Sequence, residues 1–179
     1  MNNIPDFTIE KEPKKSKSQA VGKQFEKDFK SSIPDNVFYY RFKDGTASWG
    51  GSQDNTRFQS KNICDEMLYH KGTLYLLELK TVKGKSFSFN NVRDNQIKEL
   101  EKAATHYGII AGFIINFRDI EKTVFIDVKE FIDMMNRSSK KSFNQDDLKF
   151  HKYTEISSKK LKVHYRYDIE KFLCNVIPF

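Results

Sequence analysis

Asp65, Glu78 and Lys80 are the residues of this 179-residue chain whose types and spacing could do chemistry. They lie in the stretch NICDEMLYHKGTLYLLELKTVKGKSFSF, residues 62–89. Lys71-Gly72 reads as a two-residue turn between apolar runs over 63–70 and 73–80, which predicts a hairpin. In that register His70 faces Thr73, Tyr69 faces Leu74, and Asp65 faces Glu78. Directly opposite residues project from one face, and Lys80 joins them because side chains alternate along a strand. A slip of one residue would disperse the group. Leu74 and Leu76 precede Glu78 on the same face, so this strand is expected to run from the core into a cleft. Two close carboxylates repel each other and push one pKa upward unless a cation lies between them. A hard divalent ion with oxygen ligands, Mg²⁺ or Mn²⁺, is the natural neutraliser. A solvated ion-pair patch would use the same three residues, and the hairpin alone leaves both readings open.

The surrounding elements must position that group. Val21, Phe25 and Phe29 recur at four-residue spacing and predict a helix over 19–32, with Glu26 beside the stripe and Pro34 as the stop. NVFYYRFK reads as a strand, and residues 43–61 as a long polar loop carrying the only tryptophan, Trp49. After the hairpin, KTVKGKS is a basic segment and leads to a short strand. VRDNQIKELEKAATHYG is an amphipathic helix, with Ile97, Leu100 and Ala104 on one side and Gly108 as its stop. IIAGFIINF predicts a buried central strand, KTVFIDV a further strand and KEFIDMMNR a helix. Residues 138–162 read as mostly polar loop, KVHYRY as an edge strand, and DIEKFLCNVI as a closing helix capped by Asp168. The order implies an α/β fold, a mixed β-sheet flanked by α-helices. Residues 1–18 are expected to form a flexible basic arm and residues 19–179 a single domain.

Sixteen Phe and eight Tyr supply core material and argue against disorder, although 31% of residues are charged. The net charge of +7 favours phosphate-rich partners. Cys64 and Cys174 form no metal-ligand spacing, nor do His70, His106, His151 and His164, so zinc chemistry is not expected. The cysteines read as reduced thiols, and no apolar run approaches membrane-spanning length, so a cytoplasmic protein with no membrane partner is expected.

Asp65, Glu78, Leu79 and Lys80 together resemble the active-site motif of the PD-(D/E)xK nuclease superfamily. More closely, the chain resembles the RecU-type Holliday junction resolvases. The stretches GKQFEKDF (22–29), RFKD (41–44), NICDEML (62–68), LLELKTVKGKSFSF (76–89), NQIKELEKAATHYGIIAGFIINF (95–117) and KKSF (140–143) run in family order. The resemblance implies a restriction-endonuclease-like core, a homodimer, and Mg²⁺-dependent sites that make paired nicks in a four-way DNA junction during recombination or repair. It implies that Asp65 and Glu78 ligate metal, that Lys80 orients or activates the attacking water, and that Glu26 and Gln96 complete the site. Two departures stand out. Ile63 occupies the position where the family commonly has Thr, and residues 43–61 are too short for the family's long stalk, as in a stalkless, phage-like variant.

DNA contacts are expected mainly on phosphates. Arg41, Arg57, Lys83, Lys85, Arg93, Lys140 and Lys141 are the candidates, with Gly84 letting the backbone of the KGK segment approach closely. Trp49 could stack on an unpaired base at a branch point. Two other readings remain open: a different nuclease of the same superfamily, restriction-like or flap-cutting, and a non-catalytic DNA-binding module.

Overall fold

The computed structural model describes residues 17–42 and 62–176. The segment carrying Trp49 and Arg57 and nearly all of the basic arm lie outside the described residues. The elements in chain order are α1 (Lys17–Lys30), β1 (Phe38–Arg41), β2 (Glu66–His70), β3 (Thr73–Val82), β4 (Ser86–Ser88), α2 (Asp94–Ala103), β5 (Ile109–Phe117), β6 (Lys122–Asp127), α3 (Val128–Arg137), β7 (Ser142–Asn144), β8 (Thr154–Glu155), β9 (Ser158–Lys160), β10 (Tyr165–Tyr167) and α4 (Ile169–Asn175).

Six strands form one mixed sheet in the order β1-β2-β3-β5-β6-β8. β1, β2 and β3 form an antiparallel meander, α2 carries the chain across, and β5 returns parallel to β3. This α–β–β–β–α–β core, with the Asp and the Glu-Leu-Lys run on its β2–β3 hairpin, is the restriction-endonuclease-like architecture. Lys71 (φ 47°) and Gly72 (φ 83°) both take positive φ, the backbone of a tight hairpin turn whose twist matches the strands. The turn sets the register, and His70 pairs with Thr73 and Tyr69 with Leu74, as the sequence predicts.

Side-chain alternation sends β3 into two cores. Leu76 joins Phe113, Ile115, Phe117, Leu100 and Phe131 on the face covered by α2 and α3. Leu77 and Leu79 join Phe25, Phe29, Ile114 and Phe172 on the face covered by α1 and α4. Phe113 and Phe131 lie 4.3 Å apart between ring centroids, and each such buried ring contributes roughly 2–3 kcal/mol through burial. At Gly112 the neighbouring strand comes so close that a Cβ would collide with the Ile126 carbonyl oxygen and the Phe125 ring. The Asp168 side chain caps α4 by accepting the Lys171 N–H at 3.1 Å.

The region 138–162 is mostly loop, as expected, but it also holds the short strands β7, β8 and β9 and a 3-10 turn over 147–150. These strands are two or three residues long and largely polar, so they carry no alternation to read. Single buried residues, Phe143, Leu148 and Ile156, tie them down. Of KVHYRY, Tyr165–Tyr167 form β10, an edge strand as expected, but in a separate two-stranded sheet with β9 rather than in the six-stranded one. α1 also starts at Lys17, two residues before the expected helix.

Candidate active site

Glu78 is 1% exposed, although its strand continues to the sheet's end, where Lys80 and Val82 are half-buried. Its Oε1 accepts from Lys80 Nζ at 2.7 Å and from Gln96 Nε2 at 2.5 Å. Gln96 stands in the first turn of α2 and also accepts the Arg93 N–H at 3.2 Å, so one side chain ties the helix start to the strand. Glu78 Oε2 is buried with no hydrogen-bond partner. Burial, and next the charge of Asp65, push the Glu78 carboxyl up to about 7, against the pull of Lys80 and Gln96.

The ladder between β2 and β3 ends at Glu66 opposite Leu77, one residue short of the expected Asp65–Glu78 pair. Asp65 continues the register but leaves the strand. Its carbonyl accepts the Phe42 N–H at 3.0 Å, which extends the pairing of β1, and its Oδ2 turns back to accept the Leu79 N–H at 3.0 Å. The Asp65 carboxylate is therefore fixed on β3 beside Glu78 by a backbone donor rather than by ladder pairing.

On the opposite sheet face, under α1, Arg41 pairs with Glu26 at 2.5 Å. Arg41 and Glu66 are register partners across β1 and β2. Glu66 is fully buried, accepts from the Tyr39 hydroxyl at 3.2 Å, and has an Oε2 without a hydrogen-bond partner. Burial is the main cause that pushes its carboxyl up to about 8, with the charges of Asp65 and Glu26 adding to it. The Tyr39 hydroxyl is pushed up as well, first by burial and then by Glu66, and stays a donor. Glu78, Lys80 and Gln96 thus meet directly on the α2 face. Glu26 sits on the α1 face with Arg41, and Asp65 is charge-coupled to both Glu66 and Glu78. Sequence reading passed over Glu66 and Tyr39. Alternation held the signal, because Glu66 shares a face with Leu68, which is fully buried.

Lys80 opens into a groove of about 730 Å³ shared with Lys83, Ser86, Asn91 and Lys141. The pairing of β4 with β7 builds this groove: Ser88 lies opposite Ser142, and the Lys141 carbonyl accepts the Phe89 N–H at 3.0 Å. Lys85, Arg93 and Lys140 are exposed, and Lys140 lies 3.7 Å from Asp147. Arg41, expected on DNA, pairs with Glu26 and keeps a partly exposed side chain. Elsewhere, Glu130, Asp133 and His151 converge, but His151 pairs with Glu130 at 2.8 Å and Asp133 with Arg137 at 2.7 Å. Both thiols are free; Cys64 is buried and pushed up to about 12, first by burial, and Cys174 is exposed. No helix among the described residues is long and apolar enough to cross a membrane.

Glu78 and Asp65 suit a hard divalent ion. Both offer oxygen, the charge of Asp65 raises the cost of ionising Glu78, and one buried oxygen of Glu78 is left unsatisfied.

The chain is 34% identical over 168 residues to an SPbeta prophage-derived uncharacterized protein, YotM, of Bacillus subtilis (strain 168), covering 86% of this chain and 84% of that one. It is 31% identical over 90 residues to the Holliday junction resolvase RecU of Mycoplasmopsis pulmonis (strain UAB CTIP), covering 50% of this chain and 54% of that one. Superposition on Hjc, a Holliday junction resolvase from Archaeoglobus fulgidus, gives a TM-score of 0.42 at 14% identity over 74% of this chain and 89% of that one. The family model of recombination protein U matches residues 29–171, most of the chain, and the protein belongs to the RecU family.

Proposed function

We propose that the protein is a Mg²⁺-dependent endonuclease that resolves four-way DNA junctions by paired nicks during recombination or repair. The observation that carries this reading is the buried Glu78, bonded to Lys80 and Gln96 beside Asp65, with Lys80 lining a groove that it shares with Lys83 and Lys141. Its test is cleavage of a labelled four-way junction in Mg²⁺. Wild type should nick it, and Asp65→Asn should not.

Asp65 and Glu78 would hold a divalent ion, which would supply Lewis acidity at the scissile phosphate. Gln96 holds Glu78 in place. The Lys80 ammonium, 2.7 Å from Glu78, borders the groove. There it orients a water for in-line attack on phosphorus and offsets the charge of the transition state. The bond to the 3′ oxygen breaks, that oxygen takes a proton from solvent and leaves as the 3′ hydroxyl, and the water's oxygen stays on the new 5′-phosphate while its proton passes to solvent. Lys83 and Lys141 line the groove and hold backbone phosphates. Glu26, fixed by Arg41, completes the acidic field from the α1 side.

A junction has two-fold symmetry and must be cut twice, so the active species is a homodimer in the cytoplasm. One observation favours a second reading, a branch-cutting nuclease of different substrate preference. The match to the uncharacterised prophage protein runs along nearly the whole chain, whereas the match to the named resolvase covers half of it. Cleavage of flap and splayed-arm substrates at the rate found for four-way junctions would support that reading.

A further inference from the structure

Residues 158–167, SKKLKVHYRY, contain Lys159, Lys160, Lys162 and Arg166 and no acidic residue. They form the β9–β10 hairpin, which pairs Tyr165 with Lys160 and Tyr167 with Ser158. The turn is closed by the Leu161 N–H on the His164 carbonyl at 2.7 Å. At its tip Val163 is 77% and Leu161 44% exposed. A turn tip in water is ordinarily polar, and an isolated two-stranded hairpin holds its shape poorly.

This hairpin is clamped to α1. Asp28, itself 4% exposed, accepts the Tyr165 N–H at 3.0 Å and lies 2.8 Å from His164 Nδ1. The Tyr167 N–H reaches Ser32 Oγ at 2.9 Å, and Arg166 donates to the Ser31 carbonyl at 2.6 Å. The Tyr167 ring packs edge-on to Phe25 at 5.7 Å.

Its position follows from the sheet. Lys160 pairs with Glu121, which follows β5 through a 3-10 turn, and Arg118 in that turn donates to the Val82 carbonyl at 3.3 Å. Because β3 and β5 run parallel, the hairpin stands at the same end of the sheet as Lys80 and its groove, on the α1 side. Lys160 is engaged by Glu121 and Arg166 by Ser31, whereas Lys159 and Lys162 make no ion pair among the described residues.

We infer that the β9–β10 hairpin is a second DNA contact. Its Leu161–Val163 tip wedges into a base step of the branched duplex beside the cut, and Lys159 and Lys162 hold the flanking phosphates. Apolar wedges flanked by cations are a recurrent way of kinking or opening a duplex. A protein partner covering this tip would disfavour lysines around it. The inference rests on the nuclease reading above and adds the surface that recognises the branch.

The test uses the full chain and a labelled four-way junction in EDTA, so that binding is read without cutting. Lys159→Gln/Lys162→Gln should bind roughly tenfold more weakly at moderate salt, and the slope of log affinity against log salt should fall by about two. Leu161→Ser/Val163→Ser should abolish the rise in fluorescence that wild type produces from aminopurine placed at the branch. All four positions are exposed, and unchanged circular dichroism melting will show that the variants fold. Unchanged slope and affinity in the lysine variant would overturn the inference, as would an undiminished aminopurine signal in the tip variant. A tip variant that shifts the molecular mass in solution would assign the hairpin to a contact between copies, and so overturn it too. If wild type cuts junctions while both variants behave like it, the inference alone fails. If wild type neither binds nor cuts branched DNA, the nuclease reading fails first.

Discussion

Replacing Glu66 by Gln should stabilise the metal-free protein, and more so as the pH rises. The side chain is fully buried, and its carboxyl is pushed from 4.5 up to about 8. A raised acid holds its proton more tightly when folded. Its contribution is therefore complete below the unfolded pKa and is lost as pH climbs through the folded one. At about 1.4 kcal/mol per tenfold change in proton affinity, burying Glu66, which ionises freely only when unfolded, lowers stability by about 1 kcal/mol near pH 5 and about 4 kcal/mol near pH 8. Gln has the same shape, keeps an oxygen for the Tyr39 hydroxyl, and carries no charge to desolvate. The stability gap between Glu66→Gln and wild type should thus widen by roughly 3 kcal/mol between these pH values. Urea unfolding in EDTA at the two pH values measures that gap directly. A gap that stays constant would refute the reading of Glu66 as a buried acid and would place its carboxylate in a solvated or fully paired site.

Three further outcomes are expected. Gly112→Ala should lose about 3 kcal/mol in urea unfolding, because the added methyl meets backbone of β6 that cannot move aside. Mg²⁺ should raise the Tm of wild type near pH 8 and much less near pH 5, since Glu78, pushed up to about 7, must ionise to bind it. Glu78→Gln should remove that pH-dependent rise, as scanning fluorimetry will show. Lys80→Ala should keep junction affinity within about twofold and lose at least a hundredfold in single-turnover nicking rate, because its ammonium acts on the transition state; an unchanged rate would take Lys80 out of the chemistry.

The hairpin was legible because Lys71-Gly72 dictates a tight turn, and a two-residue turn admits one register. From that register the common face of Glu78 and Lys80 follows by alternation, and IIAGFIINF could only be a strand buried on both faces. Asp65 was placed correctly in register but not in bonding. Its turn toward the Leu79 N–H depends on where the ladder stops, and the pattern of side chains does not encode that. Gln96 entered through family resemblance, since on an amphipathic helix it reads as a surface residue. Its contact with Glu78 depends on how α2 docks. Glu66 shows a different failure: a charge on a core-facing strand position was passed over because charges are expected to be solvated. The short strands after Ser138 were unreadable for a plain reason. Two or three polar residues carry no periodicity, and only tertiary partners such as β4 and β6 make them strands.

The central claim is that Asp65, Glu78 and Lys80 form a metal-dependent nuclease centre that acts on junctions. Strand-by-strand mapping of products from a mobile four-way junction, beside a linear duplex of the same sequence, tests it most directly. In Mg²⁺ the wild-type protein should place symmetric nicks on two opposing strands and leave the duplex intact, and EDTA should abolish cutting without abolishing binding. Binding without any nick in Mg²⁺, or equal cutting of junction and duplex, would contradict the account.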